Sequence, residues 1–204
     1  MRSSIPLYKN FYNKLTDGSI KKLILDLRGN GGGAVIDGRY FIDRLVSKNA
    51  VWGYQRTKEG NGRFNYTPWI EVQTTPHKFA IKKPIPIVIL TDKGTASMGE
   101  ITTLMLKSQG DQVKSVGNYT KGATAGLGPG DNFNGGYKGL TGRYMRFYMP
   151  LMAFKDASGK LIEGKGIKPD VKIVPSQKEV DQFNLEKSNN DPAFNKALEE
   201  IKKM

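Results

Sequence analysis

Residues 85–100 read IPIVILTDKGTASMGE, and this segment is the most informative feature of the chain. Its apolar first part, residues 85–90, is typical of a buried β-strand, and the glycine-containing turn after it leads into a helix over residues 98–109. Apolar Ile101, Leu104 and Met105 recur on one face of that helix. Ser97 therefore stands at the helix start, where the helix dipole and free backbone N–H groups would assist a serine nucleophile.

The same stretch has a plainer interpretation. Ser97 and Glu100 match the S-x-x-E capping box, in which two side chains satisfy N–H groups at the start of a helix. A capping serine and a catalytic serine look alike at this level, so the choice between them depends on the rest of the chain.

Size and composition indicate an ordinary globular domain. The chain has 204 residues, of which 38% are hydrophobic and 25% charged, enough for one domain with a substantial core. It has no cysteine, which excludes disulfides and thiolate metal sites, and we expect neither a metal nor a cofactor. No stretch is long and apolar enough for a membrane span, and residues 1–10 lack the apolar core of a signal peptide.

The chain is strongly basic. Thirty-two Lys and Arg residues against 19 Asp and Glu residues give a net charge of +13. Such a charge can attract nucleic acid, anionic membrane surfaces or acidic substrates. The basic residues are scattered, however, and no nucleic-acid recognition motif is present. We therefore favour a solvated basic surface and expect no nucleic-acid partner.

A second strand–loop–helix unit precedes the first. The apolar run 23–27 predicts a strand, the glycine loop (residues 29–33) follows it, and residues 35–45 predict a helix. Alternating strands and helices indicate an α/β domain, in which ligands gather where strands end. The apolar face that we expect for this helix consists of Ile36, Tyr40, Phe41 and Leu45.

The glycine loop has several interpretations. Gly29-x-Gly31-x-x-Ala34 resembles a dinucleotide fingerprint, but no acidic residue lies near position 50. The loop is not a P-loop, because no Gly-Lys-Ser/Thr follows it. Three consecutive glycines could turn their N–H groups towards one anion, or could form a purely structural turn, and both interpretations stay open.

The remaining elements are predicted from alternation, apolar spacing and turn signals. We expect a helix over 5–17, aromatic-rich strands over 50–75, a strand over 113–116, a mobile glycine-rich loop over 122–139 and a strand over 167–174. An alternating strand is predicted over 144–154, with Met145, Phe147, Met149 and Leu151 on one face. A final helix is predicted to be capped by Asp191 and to have an apolar stripe of Phe194, Leu198 and Ile201. We divide the chain into a domain over 1–176 and a polar tail with a terminal helix over 177–204.

Four segments, in order, resemble the motifs of the S41 peptidases, the family of tail-specific (C-terminal processing) proteases and the related tricorn core. Each is modest alone, but the ordered set is specific and covers about residues 20–175. The segments are LDLRGNGGG at 25–33 (D-x-R-x-N-G-G-G), TASMGE at 95–100 (T/S-A-S-A-S/G-E), VGNYTKG at 116–122 (G-x-x-T-x-G) and EGKGIKPD at 163–170 (E-x-x-G-I/V-x-P-D).

The resemblance implies a crotonase- or ClpP-like α/β core with added β-strands and a C-terminal helix. It implies a serine-type peptidase that forms an acyl-enzyme on Ser97. The backbone N–H of Met98 and one from Gly32 or Gly33 would form the oxyanion hole. The implied substrate is a peptide or protein, taken as an extended chain or a C-terminal tail, and the implied location is the cell envelope or periplasm. Homo-oligomerisation is left open.

The general base departs from the family pattern. Tail-specific proteases place a lysine where this chain has Ala123, and Lys121 lies two residues earlier. The tricorn-like branch uses a histidine, oriented by a glutamate that Glu163 matches; the alternative for Glu163 is a solvated turn acid. We interpret His77 as a surface loop residue and expect the catalytic histidine in a section absent from this chain, which would be a C-terminal fragment of the catalytic domain.

Two other functions compete with peptide hydrolysis. One is a peptide-binding module with a protease-like fold that does not cleave, and the other is an anion- or nucleic-acid-binding domain supported by charge alone. A lipase-type elbow is disfavoured because it needs glycine at the position of Thr95. We expect Asp26 and Arg28 to brace the glycine loop and Asn30 to shape its turn.

Overall fold

The computed structural model of the chain describes residues 5–125, 137–139, 146–148, 150–179, 181 and 191–204. The helices are α1 Ile5–Thr16, α2 Val35–Leu45, α3 Met98–Lys107 and α4 Pro192–Lys203. The strands are β1 Leu23–Asp26, β2 Val51–Thr57, β3 Ile70–Gln73, β4 Ile87–Thr91, β5 Val113–Gly117, β6 Tyr137–Gly139, β7 Arg146–Tyr148, β8 Met152–Asp156 and β9 Val171–Lys172. Among the described helices, none combines the length and apolar character needed to cross a membrane.

A parallel sheet in the order β1-β4-β5-β9 forms the centre of the fold. Every residue of β4 is buried, because β4 lies between two strands and under helices on both faces. The strand β1 is only partly buried, because it lies at the edge of this sheet. The α/β class and both strand–loop–helix units are therefore confirmed.

The two faces of β4 belong to different hydrophobic clusters. Ile87 and Ile89 point into the larger cluster with residues of α2 and α3, while Val88 and Leu90 pack with α4. Alternation along a strand sends successive side chains to opposite faces, so a continuous apolar run fits a strand covered on both sides. The terminal helix α4 thus forms the second covering layer of the sheet.

A second, antiparallel sheet in the order β3-β2-β8 flanks the core. It includes part of the aromatic-rich region, as predicted. Trp52 of β2 stacks on Phe154 of β8 with 5.8 Å between ring centroids, and both side chains are buried in the larger cluster.

The predicted apolar face of α2 is wrong in its first half. Ile36 is 77% exposed and Tyr40 is 56% exposed, whereas Ile42 and Leu45 are buried. Periodicity defines candidate stripes on a helix, but the position of the neighbouring helix selects among them. Here the close approach of α2 to α3 lies at Gly38, where an added Cβ would be 2.6 Å from Met98 Cε.

The predicted stripe of α4 is also only partly correct. Ile201 is buried, but Phe194 and Leu198 are exposed, and Ala193 and Ala197 face the sheet instead. The predicted cap is confirmed, because an Asp191 side-chain oxygen accepts the Phe194 N–H at 3.0 Å.

The region 144–154 is two strands rather than one. The strands β7 and β8 flank Pro150, which has no N–H to donate to a sheet. Met152 and Phe154 are the buried residues of β8, so the buried positions there have the opposite parity to the predicted face. Met145, Met149 and residues 126–136 of the predicted glycine-rich loop lie outside the described residues. The last predicted strand is confined to β9.

Candidate active site

Two loops meet at the carboxyl edge of the parallel sheet. The serine loop (residues 92–97) follows β4, and the glycine loop follows β1. Asp92 Oδ1 accepts the N–H groups of Gly29 and Gly94, each at 2.9 Å, and Thr95 Oγ1 donates to the carbonyl of Leu27 at 2.8 Å. These bonds hold the two loops in a fixed relative position.

Asn30 shapes the contact between the loops, as expected for the turn. Its carbonyl oxygen accepts the Ala96 N–H at 2.9 Å, and its Oδ1 accepts the Gly32 N–H at 2.8 Å. A Cβ at Gly99 would lie 3.0 Å from the Asn30 carbonyl oxygen, so a glycine there lets the start of α3 approach this turn closely.

Ser97 has an unusual backbone conformation. Its φ of 52° and ψ of −121° match the first central residue of a type II′ turn, which glycine favours. Among the described residues it is the only non-glycine with positive φ. Such strain persists only where surrounding contacts impose it, and it clusters at functional sites.

The glycine loop lies directly against Ser97. Gly32 has φ +101°, and a Cβ added there would lie 3.0 Å from Ser97 Oγ and 2.8 Å from the Met98 nitrogen. The backbone at position 32 thus lies so close to Ser97 and Met98 that even a methyl group added there would clash with both residues. Only glycine fits, because the space and the dihedral angle both exclude a side chain.

The backbone N–H groups around Ser97 differ in availability. The N–H of Gly32 is bound to Asn30, whereas within the described residues the N–H groups of Met98 and Gly33 donate to no protein acceptor. Met98 and Gly33, one at each loop–helix junction, therefore each keep a backbone N–H that has no protein acceptor within the described residues.

Glu100 is fully buried and connects α3 to the segment after β5. One carboxylate oxygen accepts Thr120 Oγ1 at 2.5 Å and the Gly122 N–H at 2.7 Å. The other accepts the N–H groups of Ala123 at 2.8 Å and Ser97 at 3.2 Å. The S-x-x-E spacing revealed the Ser97 bond, but the other three are tertiary contacts that sequence reasoning missed.

Ala123 lies beside the serine. Its carbonyl oxygen accepts the Ser97 N–H at 2.8 Å. Lys121 is exposed, and its backbone N–H donates to the Thr95 carbonyl at 2.9 Å. No hydrogen bond within the described ranges joins the Lys121 side chain to Ser97. The position at which tail-specific proteases carry lysine is thus the one in contact with the serine.

His77 belongs to a different part of the molecule. Its backbone N–H donates to the Asp43 carbonyl at 2.6 Å, and its Nδ1 accepts the Phe79 N–H at 3.1 Å. The first bond fixes the loop after β3 against the second half of α2, and the second bond lies within that loop. The contacts fit the interpretation of His77 as a loop residue.

Glu163 orders the segment that follows Ala123. Its Oε2 accepts the Thr124 N–H and Oγ1, both at 3.0 Å, and the Ala125 N–H at 3.3 Å. It is therefore engaged by protein donors rather than only by solvent. Within the described residues it does not hydrogen-bond to Ser97, but it holds the chain one residue beyond the carbonyl that binds the Ser97 N–H.

Asp170, at the end of the fourth motif, anchors the approach to β9. Its carboxylate accepts Lys107 Nζ at 2.6 Å and the Ser115 N–H at 2.8 Å. Burial alone would raise the pKa of Asp170, but the bonds from Lys107 and Ser115 outweigh it and lower the pKa. The carboxylate stays charged and keeps this motif attached to α3 and β5.

Arg28 braces the glycine loop, as expected. It forms a two-bond ion pair with Asp26 (Nη2–Oδ2 2.7 Å, Nε–Oδ1 3.0 Å) and an ion pair with Asp191 at 2.7 Å. Burial opposes ionisation of Asp26, but the bonds and charge of Arg28 prevail and lower its pKa. The glycine loop is thereby tied to the cap of α4.

A family model adds a direct comparison with known proteins. The model of peptidase family S41 matches residues 6–173, which include all four motifs and both loops of the site. This chain belongs to peptidase family S41. This chain is similar to the carboxy-terminal processing protease CtpB of Bacillus subtilis (strain 168). The two are 27% identical over 164 residues, and the match covers 78% of this chain and 29% of CtpB.

A probable CtpA-like serine protease of Staphylococcus aureus (strain N315) is 31% identical over 155 residues, covering 76% of the S41 chain and 27% of that protein. The chain thus spans less than a third of the length of these two relatives. The crystal structure of mature CPAF superposes with a TM-score of 0.68 at 15% identity, covering 84% of this chain and 43% of that one. At that identity the likeness concerns the fold.

Proposed function

We propose that this S41 chain carries the nucleophile and oxyanion donors of a serine-type peptidase that cleaves peptide bonds through an acyl-enzyme on Ser97. The observation that carries the proposal is the close approach of the Gly32 backbone to Ser97 and Met98, where an added Cβ would lie 3.0 Å from Ser97 Oγ and 2.8 Å from the Met98 nitrogen. It supports a single pocket in which a carbonyl carbon faces the hydroxyl while its oxygen faces backbone N–H groups.

The chemistry runs in two halves. Ser97 Oγ attacks the substrate carbonyl carbon, its proton passes through a base to the leaving amine, and an ester forms; water then attacks the ester and restores the hydroxyl. The N–H groups of Met98 and Gly33 bind the oxyanion. Gly33 is preferred to Gly32 because the Gly32 N–H is already bound to Asn30. One such donor is worth about 3 kcal/mol of transition-state stabilisation.

Glu163 is proposed as a positioning residue. It would act through the segment 123–125, whose first carbonyl binds the Ser97 N–H, and it need not touch substrate. Glu163→Gln should therefore slow acylation while leaving the fold intact. Equal acylation by this variant and the unaltered protein would remove Glu163 from the mechanism.

A fluorophosphonate probe tests the nucleophile. We expect labelling of the full-length protein at Ser97, loss of labelling in Ser97→Ala, and retention in Ser47→Ala, which removes a similarly half-buried serine from the loop after α2. Labelling that persists in Ser97→Ala would refute the assignment.

The identity of the base is tested at two positions. Ala123→Lys places an amine beside Ser97, at the position where the tail-specific branch has lysine, and should raise the labelling rate at alkaline pH. Lys121→Met should leave the rate unchanged. A rate that collapses in Lys121→Met would instead make Lys121 the base.

A second candidate is a peptide-binding module that does not cleave. It is favoured by one observation, that within the described residues neither Lys121 nor His77 hydrogen-bonds to Ser97. Peptide binding without turnover by the full-length protein, equal in Ser97→Ala, would select this function.

Substrate and location are proposed from the family alone. The substrate is a peptide or protein entering as an extended chain or a C-terminal tail, and the protein acts in the cell envelope. Fractionation of cells that express the natural gene checks the location, and a peptide series with free or amidated carboxyl ends checks the preference for tails.

A further inference from the structure

A concave site lies apart from Ser97. A cavity of about 460 Å³ opens between the second half of α3 and the loop that follows β8. Ser97, Met98, Glu163 and the glycine loop do not line it. The volume falls within the roughly 300–1,000 Å³ that is typical of small-molecule sites.

The cavity has an apolar floor. Trp52, Leu104, Ile162 and Ile167 line it, and each belongs to the main hydrophobic cluster. Leu161 also lines it and is 37% exposed. Since Trp52 is stacked on Phe154, the floor is a firm surface suited to an apolar group.

The lining is rich in positive charge. It includes Lys107, Lys160, Lys165 and Lys168 but only one acid, Asp156. Lys107 is paired with Asp170, whereas the other three lysines are exposed and form no ion pair within the described residues.

Asp156 does not cancel that charge by pairing with a lysine side chain. Its Oδ1 accepts the N–H groups of Ser158 and Lys160, each at 2.9 Å, and the Ser158 hydroxyl at 2.7 Å. One oxygen of this carboxylate is thus bound within its own turn, and since the lining has four lysines and one acid, positive charge still outweighs negative charge there.

We propose that this cavity binds a small carboxylic acid with an apolar body. The body rests on Trp52 and Ile167, and the carboxylate lies among Lys160, Lys165 and Lys168. A neutral apolar compound would use only the floor, and inorganic phosphate only the lysines. An amphipathic acid is the class that uses both, and the cavity volume suits a small molecule.

Decanoate titration of a Trp69→Phe variant tests the proposal. The chain has two tryptophans, so this variant leaves Trp52 as the reporter in the floor. We expect a saturable change in fluorescence, with decanoate binding at least tenfold more tightly than decanol or decyltrimethylammonium. Equal binding of the three compounds, or no response to decanoate, would overturn the proposal.

Variants locate the site. In the same background, Lys165→Gln with Lys168→Gln should weaken decanoate binding about tenfold, to the level of decanol. The matched pair Lys82→Gln with Lys83→Gln, exposed lysines outside the cavity, should leave it unchanged. Equal effects of the two pairs would mean non-specific attraction and would contradict the proposal.

Leu161→Glu provides a variant that should fold, because Leu161 is partly exposed. It adds a carboxylate to the lining and should abolish decanoate binding, with circular dichroism confirming the fold; unchanged affinity would refute the site. An acetylated tripeptide with a free C-terminal carboxylate is titrated as the last ligand. If it binds and decanoate does not, the ligand is a peptide terminus and the small-acid proposal fails.

Discussion

The two strand–loop–helix units of the parallel sheet share one plan but differ in how they are held. The unit β4–α3 has a fully buried strand, a serine loop fixed by Asp92, and a helix start tied by Glu100 to the segment 120–123. The unit β1–α2 has an edge strand, an exposed glycine loop and a brace of surface ion pairs. The proposed nucleophile, Ser97, thus lies on the more buried unit, and one proposed oxyanion donor lies on the more accessible unit.

The largest effect should come from the buried anchor of the rigid unit. Glu100→Ala leaves buried donors without an acceptor, and we expect a loss of about 3 kcal/mol or more in the free energy of unfolding. Urea denaturation measures it. Glu199→Ala, which removes an exposed carboxylate paired with Lys196, should change stability far less, because an exposed ion pair is screened by solvent. Similar losses in both variants would contradict the anchoring role of Glu100.

The contact between the units is tested at Gly32. Gly32→Ala combines a positive φ with a Cβ only 2.6 Å from Ser97 Cβ, so it should cost about 1–3 kcal/mol of stability and reduce probe labelling at least tenfold. The matched variant is Gly31→Ala, because φ there is not positive and a Cβ would meet no atom within 4 Å. If Gly31→Ala reduces labelling as strongly as Gly32→Ala, the close approach of Gly32 to Ser97 does not determine the labelling.

The smallest effect concerns the ion-pair brace of the exposed unit. Because the folded pKa of Asp26 lies below its unfolded value of about 3.9, the brace contributes fully above that pH and is lost as pH falls through the folded pKa. Asp26→Asn should remove about 0.2–1 kcal/mol at neutral pH and flatten the loss of stability between pH 5 and pH 2.

Thermal unfolding across that pH range provides the measurement. Glu71→Gln serves as the control, since Glu71 is exposed and forms no ion pair within the described part of the chain. If the unfolding temperature of Asp26→Asn falls with pH as steeply as that of the unaltered protein, the ion pair of Asp26 with Arg28 does not contribute to stability.

The sequence patterns predicted where the helices and strands lie more accurately than which face of each is buried. The strand, turn and helix signals of both units hold because they depend on local periodicity, and the cap of α4 follows from Asp191 and Pro192. The exposed Ile36 and Phe194 were assigned to the core, because neighbouring elements, not periodicity, choose which stripe is buried.

The candidate site was also predictable only in part. The meeting of the serine and glycine loops follows from two adjacent parallel strands, whose carboxyl ends share an edge. The bonds from Glu100 to Thr120, Gly122 and Ala123 join residues at least 20 positions apart, so no local pattern indicates them. The positive φ of Ser97 is likewise not indicated by its residue type, because glycine is the residue that favours such a conformation.

The positive φ of Ser97 implies that folding stability and the proposed reaction make opposite demands on residue 97. At a φ of 52° the backbone of residue 97 would be more comfortable with glycine, so Ser97→Gly should unfold at a higher temperature than Ser97→Ala although both lack the hydroxyl. Holding a serine at this φ costs about 1–3 kcal/mol of stability, so the proposed nucleophile occupies a position that lowers the free energy of unfolding.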